Sequence, residues 1–125
     1  MFSFPTELEW EYAAKGGSAS KELKFAGSDS IDEVAWYRDN SKETTHPVGQ
    51  KKPNELGLYD MCGNVWEWVE IPNSSSKAVR KGGSWWQEPH NCEITCREVS
   101  ELTSKSSAFG LRVVLHDFEK SGKAH

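Results

Sequence analysis

The clearest pattern of polar and apolar positions lies at the start of the chain. Thr6 is followed three positions later by Glu9, which is the arrangement of a capping box. Apolar side chains then recur at helical spacing until the pair Gly16 and Gly17, where positive φ is tolerated and a helix can end. The pattern predicts a short α-helix over about residues 6–15.

The other apolar residues fall into short runs that are typical of strands. Residues 65–69 read Val-Trp-Glu-Trp-Val, and strict alternation would place the two indoles on one face and the other three side chains on the opposite face. A second strand, broken by a glycine bend, is predicted over 78–86, and a last strand over 109–115. Residues 17–45 and 87–108 are mostly polar and predict irregular loops.

Composition and charge narrow the class of protein. The chain has 125 residues, with six tryptophans and ten glycines, which predicts a loop-rich fold whose core is built around indoles. A net charge of −4 without a basic face argues against a nucleic-acid partner. No apolar run approaches the ~20 residues of a membrane helix. The N-terminus lacks the pattern of a signal peptide, so a cytoplasmic location is the default expectation.

The chain contains three cysteines, and this odd number leaves at least one thiol free. Cys92, Cys96 and the nearby His90 have the side-chain types of a metal site. We favour the alternative, an ordinary buried or disulfide-linked pair, because the spacing matches no established finger motif. Cys62 is expected to pack as a small apolar side chain.

Four motifs occur in order along the chain, at residues 4–14 (FPTELEWEYAA), 57–68 (GLYDMCGNVWEW), 81–85 (KGGSW) and 109–114 (FGLRVV). Together they resemble the sulfatase-modifying-factor family, whose members include formylglycine-generating enzymes. The resemblance implies an α+β, C-type-lectin-like architecture that is loop-rich, with few short strands and a short N-terminal helix. Within this family, fold alone does not fix activity.

The same resemblance implies that residues 1–116 form a partial domain and that residues 117–125 form a polar, disordered tail. The chain starts where the family's helix begins, so the family's N-terminal half lies outside these residues. Apolar faces and sheet edges would then be uncovered. We expect a homodimer, or a partner that supplies the N-terminal half, to cover them; a fragment of a longer protein is the alternative.

The catalytic thiols of the family are not matched. In formylglycine-generating enzymes, two cysteines separated by four residues follow the Gly-Gly-Ser-aromatic motif and hold copper(I), which prefers sulfur ligands. Carried onto this sequence, Gln87 stands at the first position and Cys92 at the second. A single thiol cannot provide two-sulfur coordination. The resemblance therefore implies that neither catalytic residues nor copper are to be expected.

A calcium site is the cofactor that the resemblance favours. The family holds calcium beside the Gly-Asn-x-Trp-Glu-Trp motif, and the matching ligands here are the side chains of Asp60 and Glu67 and the carbonyls of Gly63 and Val65. Calcium binds several such hard oxygen atoms. In the alternative, the Glu67 carboxylate pairs in the core with one of two arginines, Arg112 or Arg97.

The leading hypothesis is a non-catalytic, lectin-like binding or display module whose surface is formed by the loops over 86–108. The candidate contact residues are Trp86, Gln87, His90 and Asn91. Trp86 is expected to face outward because it follows the core residue Trp85 on a predicted strand. One alternative is a subunit or fragment of an enzyme that oxidises a protein cysteine, and another is a truncated copy without a ligand.

Overall fold

The computed structural model describes residues 2–71, 77–101 and 106–115, so the predicted tail over 117–125 lies outside the described residues. Within these ranges two α-helices and six short strands are present, namely β1 (Phe2–Ser3), α1 (Glu7–Ala14), α2 (Ile31–Val34), β2 (Trp66–Val69), β3 (Lys77–Lys81), β4 (Arg97–Glu101), β5 (Phe109–Gly110) and β6 (Val114–Leu115). Two 3-10 helices cover Gly17–Ala19 and Pro89–Cys92. The expected loop-rich α+β fold is confirmed.

Helix α1 begins as the sequence predicts. Thr6 accepts the backbone N–H of Glu9 at 3.1 Å, and Glu9 accepts that of Thr6 at 2.9 Å, which completes the capping box. The helix ends before Gly16, whose φ of 99° lies in the left-handed region. Trp10 and Ala14 are the helix residues that enter the core.

Four strands form the main sheet, in the order β4-β3-β2-β5. Strands β2, β3 and β4 are antiparallel, whereas β5 lies parallel to β2 with Trp66 opposite Phe109. A second sheet pairs β1 with β6, so the first and last described segments lie side by side. The core lies between α1 and the sheet face that carries Val69 and Val79, both fully buried.

The two indoles of β2 share the opposite face of the sheet, as alternation predicted. Arg80 lies across this face, with its guanidinium carbon 4.3 Å from the ring centre of Phe109 and 5.1 Å from that of Trp66. Trp68 meets Phe109 edge to face at 5.4 Å. Contacts between aromatic rings, and between a ring and a cation, are stabilising. As a result Trp66 is buried on this face, in addition to the β2 side chains that are buried on the core face.

Three predictions about secondary structure were wrong. The strand predicted over 78–86 stops at Lys81, because Gly82 and Gly83 adopt φ values of 94° and 71° and turn the chain away. The strand predicted over 109–115 is two strands in different sheets. The regions 17–45 and 87–108, predicted as loops, contain α2 and β4; β4 forms because it pairs with β3 along five residues.

In the part of the chain that is described, no helix has the length and apolar character needed to cross a membrane.

Candidate functional site

A buried carboxylate, Glu67, is held by hydrogen bonds from two sides. Its Oε1 accepts from the indole Nε1 of Trp10 at 3.0 Å and from Nε of Arg112 at 2.8 Å, and its Oε2 accepts from Nη2 of Arg112 at 3.1 Å. Arg112 is therefore the arginine that pairs with Glu67. Arg97, the other candidate, instead binds Glu7 at the surface.

Arg112 connects this carboxylate to the loop before β2. Its Nη2 also donates to the backbone carbonyl of Tyr59 at 2.7 Å. Burial alone would lower the pKa of Arg112, but its hydrogen bond to Glu67 and the negative charges of Glu67 and Asp60 outweigh burial and raise it. The guanidinium is thus charged at any ordinary pH and fixes residues 111–113, the closing segment between β5 and β6, onto β2.

The loop over residues 60–65 is tightly coiled. Asp60, Gly63 and Asn64 have φ values of 59°, 77° and 66°. Only glycine fits at position 63, because a Cβ there would collide with the carbonyl of Trp36. Asn64 fastens the loop to a distant segment, since its side chain both accepts from and donates to the backbone of His46 at 3.0 Å.

Asp60 has one carboxylate oxygen to spare. The residue is 7% exposed, and its Oδ2 accepts the backbone N–H of Gly49 at 2.8 Å. Its Oδ1 is buried and makes no hydrogen bond to the described residues. A buried carboxylate oxygen without a partner is unfavourable, and either a cation or ordered water would satisfy it.

The predicted contact residues lie on one short segment after the glycine pair. A turn is closed by the backbone N–H of Gln87, which donates to the carbonyl of Ser84 at 3.1 Å, and the 3-10 helix Pro89–Cys92 follows. Trp86 is 62% exposed and His90 is exposed, whereas Gln87 and Asn91 are half-buried. Trp86 faces outward as expected, but from a turn and not from a strand.

Residues from a separate loop anchor this segment. The backbone N–H of Arg38 donates to the carbonyl of Gln87 at 3.0 Å, and its guanidinium meets Glu88 at 2.9 Å. Ser41, which is fully buried, donates from Oγ to the carbonyl of Trp85 at 2.7 Å. Nothing in the sequence pattern marks Arg38 or Ser41, because both lie in a polar stretch without periodicity.

All three thiols are free in the structure. Cys62 and Cys92 are fully buried, and burial raises the pKa of both, that of Cys62 to about 12. Cys92 and Cys96 do not form a disulfide. Cys92 is an ordinary buried thiol, and Cys96 is half-buried. Among the described residues, no group of three His, Cys, Asp or Glu side chains is arranged to hold a metal ion. His90, Cys92 and Cys96 are therefore not arranged as a metal site.

Residues 2–117 match the family described as Sulfatase-modifying factor enzyme 1-like domain. The chain belongs to this family. A solved structure of the family fold, Treponema denticola variable protein 1, superimposes with a TM-score of 0.81 at 37% identity, over 90% of this chain and 46% of that one. CarF superimposes with a TM-score of 0.76 at 31% identity, with the same coverage. The family resemblance and the loop-rich α+β fold expected from it are confirmed.

Relatives with known names differ in activity. "Chaperone protein LppX" of Paenibacillus barcinonensis is 38% identical over 90% of this chain and 49% of its own length. The formylglycine-generating enzyme of Streptomyces coelicolor is 28% identical over 86% and 45%, and the mouse "Inactive C-alpha-formylglycine-generating enzyme 2" is 30% identical over 86% and 41%. The chain thus spans half or less of the length of these relatives.

The family resemblance brings two metal ions into question, copper(I) and calcium, and the residues present fit them differently. Copper(I) does not fit, because position 87 offers an amide and the Cys92 thiol is buried and protonated. Calcium fits at Asp60, which has a free oxygen. Arg112 and Trp10 use both lone pairs of Glu67 Oε1, so only Oε2 retains acceptor capacity. Asp60 Oδ1 and Glu67 Oε2 are thus the two carboxylate oxygens with capacity left for a cation, and carboxylate oxygens are ligands that calcium prefers.

The pairing of Arg112 with Glu67 leads to a stability prediction. In Arg112→Met the carboxylate of Glu67, 3% exposed, keeps the indole but loses its charged partner. We expect a loss of about 3 kcal/mol in the free energy of unfolding, at the low end for a broken buried pair because Arg112 is 31% exposed. Urea denaturation of the variant and the unaltered chain measures this difference in the free energy of unfolding.

The matched control is Arg97→Met, which removes an arginine whose pair with Glu7 lies at the surface. This change should cost about 0.2–1 kcal/mol. Equal costs for the two substitutions would show that the Glu67 pair has no special role.

Proposed function

We propose that this chain is a non-catalytic binding module of the sulfatase-modifying-factor family, with the segment over residues 84–92 as its contact surface. The observation that carries the proposal is the pair of positions 87 and 92. Gln87 offers no thiol, and Cys92 is fully buried with a raised pKa, so neither position supplies an accessible thiolate. These two positions therefore offer no pair of sulfur ligands for the copper ion that oxidation of a cysteine would need.

The contact surface has the character of a recognition site. Trp86 projects a large ring into solvent, and exposed aromatic side chains are typical anchors of protein interfaces. Around it lie the exposed His90 and the half-buried amides of Gln87 and Asn91, which offer donors and acceptors. The two anchoring contacts from Arg38 and Ser41 hold the segment's backbone, so side chains can vary while the scaffold stays fixed.

The relatives support the proposal. One relative is named as an inactive formylglycine-generating enzyme and one similar solved structure is named as a variable protein, and both match this chain at 30% identity or more. A scaffold of this type therefore occurs without the enzymatic activity in its family name.

An assay of cysteine oxidation tests the absence of catalysis. The chain is incubated with copper(I), oxygen and a cysteine-containing peptide, and aldehyde is measured by mass spectrometry. We expect no aldehyde above the protein-free background, because no thiol pair is available to hold copper. The Streptomyces coelicolor formylglycine-generating enzyme serves as the positive control. Conversion by this chain would establish the enzymatic alternative in place of the binding module.

The tolerance of the contact surface to substitution is a second test. Trp86→Ala should change the free energy of unfolding by no more than about 0.5 kcal/mol, as expected for an exposed side chain that does not pack in the core. Trp66→Ala, the control, removes a tryptophan that is 2% exposed and should cost about 3–5 kcal/mol. Thermal or urea unfolding compares them. A large cost at Trp86 would make this residue part of the core and remove it from the contact surface.

Calcium is the second part of the proposal. Asp60 would supply its unpartnered Oδ1, and Glu67 its remaining Oε2 capacity, together with the carbonyls of Gly63 and Val65. A bound ion would neutralise the Asp60 carboxylate and stiffen the coiled loop before β2. Its role would be structural, since the loop is anchored to α1 and to the closing segment through Glu67.

Calcium should therefore stabilise the fold. A ligand that binds only the folded state adds about 2.7 kcal/mol at one hundred times its dissociation constant, so millimolar calcium should raise the melting temperature by several degrees relative to EDTA. Asp60→Ala should abolish the shift, whereas Asp39→Ala, which removes an exposed carboxylate, should preserve it. A melting temperature that is unchanged by calcium in the unaltered chain would remove all four residues from the site.

A further inference from the structure

Three aromatic side chains form a cluster on the sheet face that points away from the core. Trp66 and Trp68 come from β2, and Phe109 of β5 lies opposite Trp66. Trp68 and Phe109 are half-buried and meet edge to face, whereas Trp66 is buried. We call these three residues the aromatic face. None of them belongs to the segment over residues 84–92, so the aromatic face is distinct from the proposed contact surface.

Arg80 adds a cation to the aromatic face. It lies opposite Trp68 on β3, and its guanidinium carbon is 4.3 Å from the ring centre of Phe109 and 5.1 Å from that of Trp66. Its Nε is buried and makes no hydrogen bond to any described residue. The guanidinium also forms no ion pair within the described part of the chain. The rings therefore hold this cation while its hydrogen-bond donors stay unused.

A comparison with Arg112 shows that the charge of Arg80 is poorly compensated. Burial acts to lower the pKa of both arginines, but in Arg112 the bonds to Glu67 outweigh burial and raise it. In Arg80 burial is the main effect and the pKa is lowered, because the negative charge of Glu98, an exposed residue opposite on β4, offsets burial only in part. A partly desolvated cation with unused donors gains from an anion that binds to it.

The neighbouring groups indicate which anion fits. A guanidinium is a planar fork that matches a carboxylate, and the half-buried rings of Trp68 and Phe109 offer apolar surface to the rest of the ligand. Glu98 adds a negative charge nearby, and its repulsion is larger for a dianion such as phosphate than for a monoanion. We propose that Arg80 and the aromatic face bind a carboxylate that carries an aromatic or other apolar group.

Phenylacetate is the probe for this site. Titrated into the 125-residue chain, it should bind with a dissociation constant of about 1 mM or lower, which is within reach of a ligand of its size. In heteronuclear NMR spectra it should shift the Nε–Hε signal of Arg80 and the indole signals of Trp66 and Trp68. Phenylacetamide has the same shape without the charge, so it should bind at least about tenfold more weakly.

Substitutions of Arg80 test the part played by the guanidinium. Arg80→Gln should weaken phenylacetate binding at least about tenfold, because the cation is lost. Arg80→Lys keeps the charge without the planar fork and should restore only part of the affinity. In the matched control, Arg97→Gln, the dissociation constant should stay within about twofold. Arg97 lies on β4 opposite Lys81, so it points to the other face, where it binds Glu7. Circular dichroism verifies the fold of each variant.

Three results would overturn the proposal. No spectral change at about 10 mM phenylacetate, a concentration well above the expected dissociation constant, would show that there is no site. Equal binding of phenylacetate and phenylacetamide, or undiminished binding by Arg80→Gln, would show that no ion pair with Arg80 is formed. Tighter binding of phenyl phosphate than of phenylacetate would assign the site to phosphate groups.

A further variant separates this site from the proposed contact surface. Trp86→Ala should leave the dissociation constant for phenylacetate within about twofold, because Trp86 is not part of the aromatic face. A large loss of binding in this variant would place phenylacetate on the contact surface and overturn the assignment to Arg80. Failure of the Arg80 site leaves the assays of cysteine oxidation and of Trp86 unaffected, since neither involves Arg80.

Discussion

The structure depends most on one ionised side chain in the interior, the carboxylate of Glu67. A buried charge is tolerated only when it is paired and hydrogen-bonded, and Glu67 satisfies this with Trp10 and Arg112 together. These three residues come from α1, from β2 and from the segment after β5. The requirement to satisfy one carboxylate therefore fixes the relative positions of the helix, the sheet and the closing segment.

A second ion pair, between a buried lysine and a half-buried glutamate, extends this arrangement. Lys81 lies opposite Glu67 on β3, is fully buried, and binds Glu11 of α1 at 2.8 Å. Its ammonium also lies 5.5 Å from the ring centre of Trp10. The indole of Trp10 is thus placed between a carboxylate and a cation, and charges alternate across the interface between helix and sheet. This polar arrangement, more than the short strands, specifies how α1 packs.

The scaffold and the proposed contact surface are separable in this fold. The charged pairs lie between α1 and the sheet, while Trp86 and its neighbours lie on a turn held through backbone contacts to Ser41 and Arg38. A change at Gln87 therefore leaves the Glu67 pair intact. This separation gives a physical reason why one scaffold occurs both in relatives named as formylglycine-generating enzymes and in relatives named as inactive ones.

Local rules in the sequence were sufficient for α1, because the capping box and the glycine stop act between near neighbours. They failed for β4, whose polar residues form a strand only by pairing with β3, and for the last strand, which is divided between two sheets. The pairing of Glu67 with Arg112 was foreseen as one alternative, but the choice between two arginines depends on tertiary structure. The anchoring roles of Arg38 and Ser41 had no signal, since both residues lie in a polar stretch without periodicity and bind groups more than forty positions away in the sequence.

A double-mutant cycle on Glu67→Gln and Arg112→Met tests the central role of this carboxylate most directly. If Arg112 is needed because Glu67 is charged and buried, neutralising Glu67 should relieve much of the cost of losing the guanidinium. The double variant should then be more stable than the sum of the single costs predicts, by at least about 1 kcal/mol, as for directly coupled residues. Additive costs within about 0.3 kcal/mol would contradict the account.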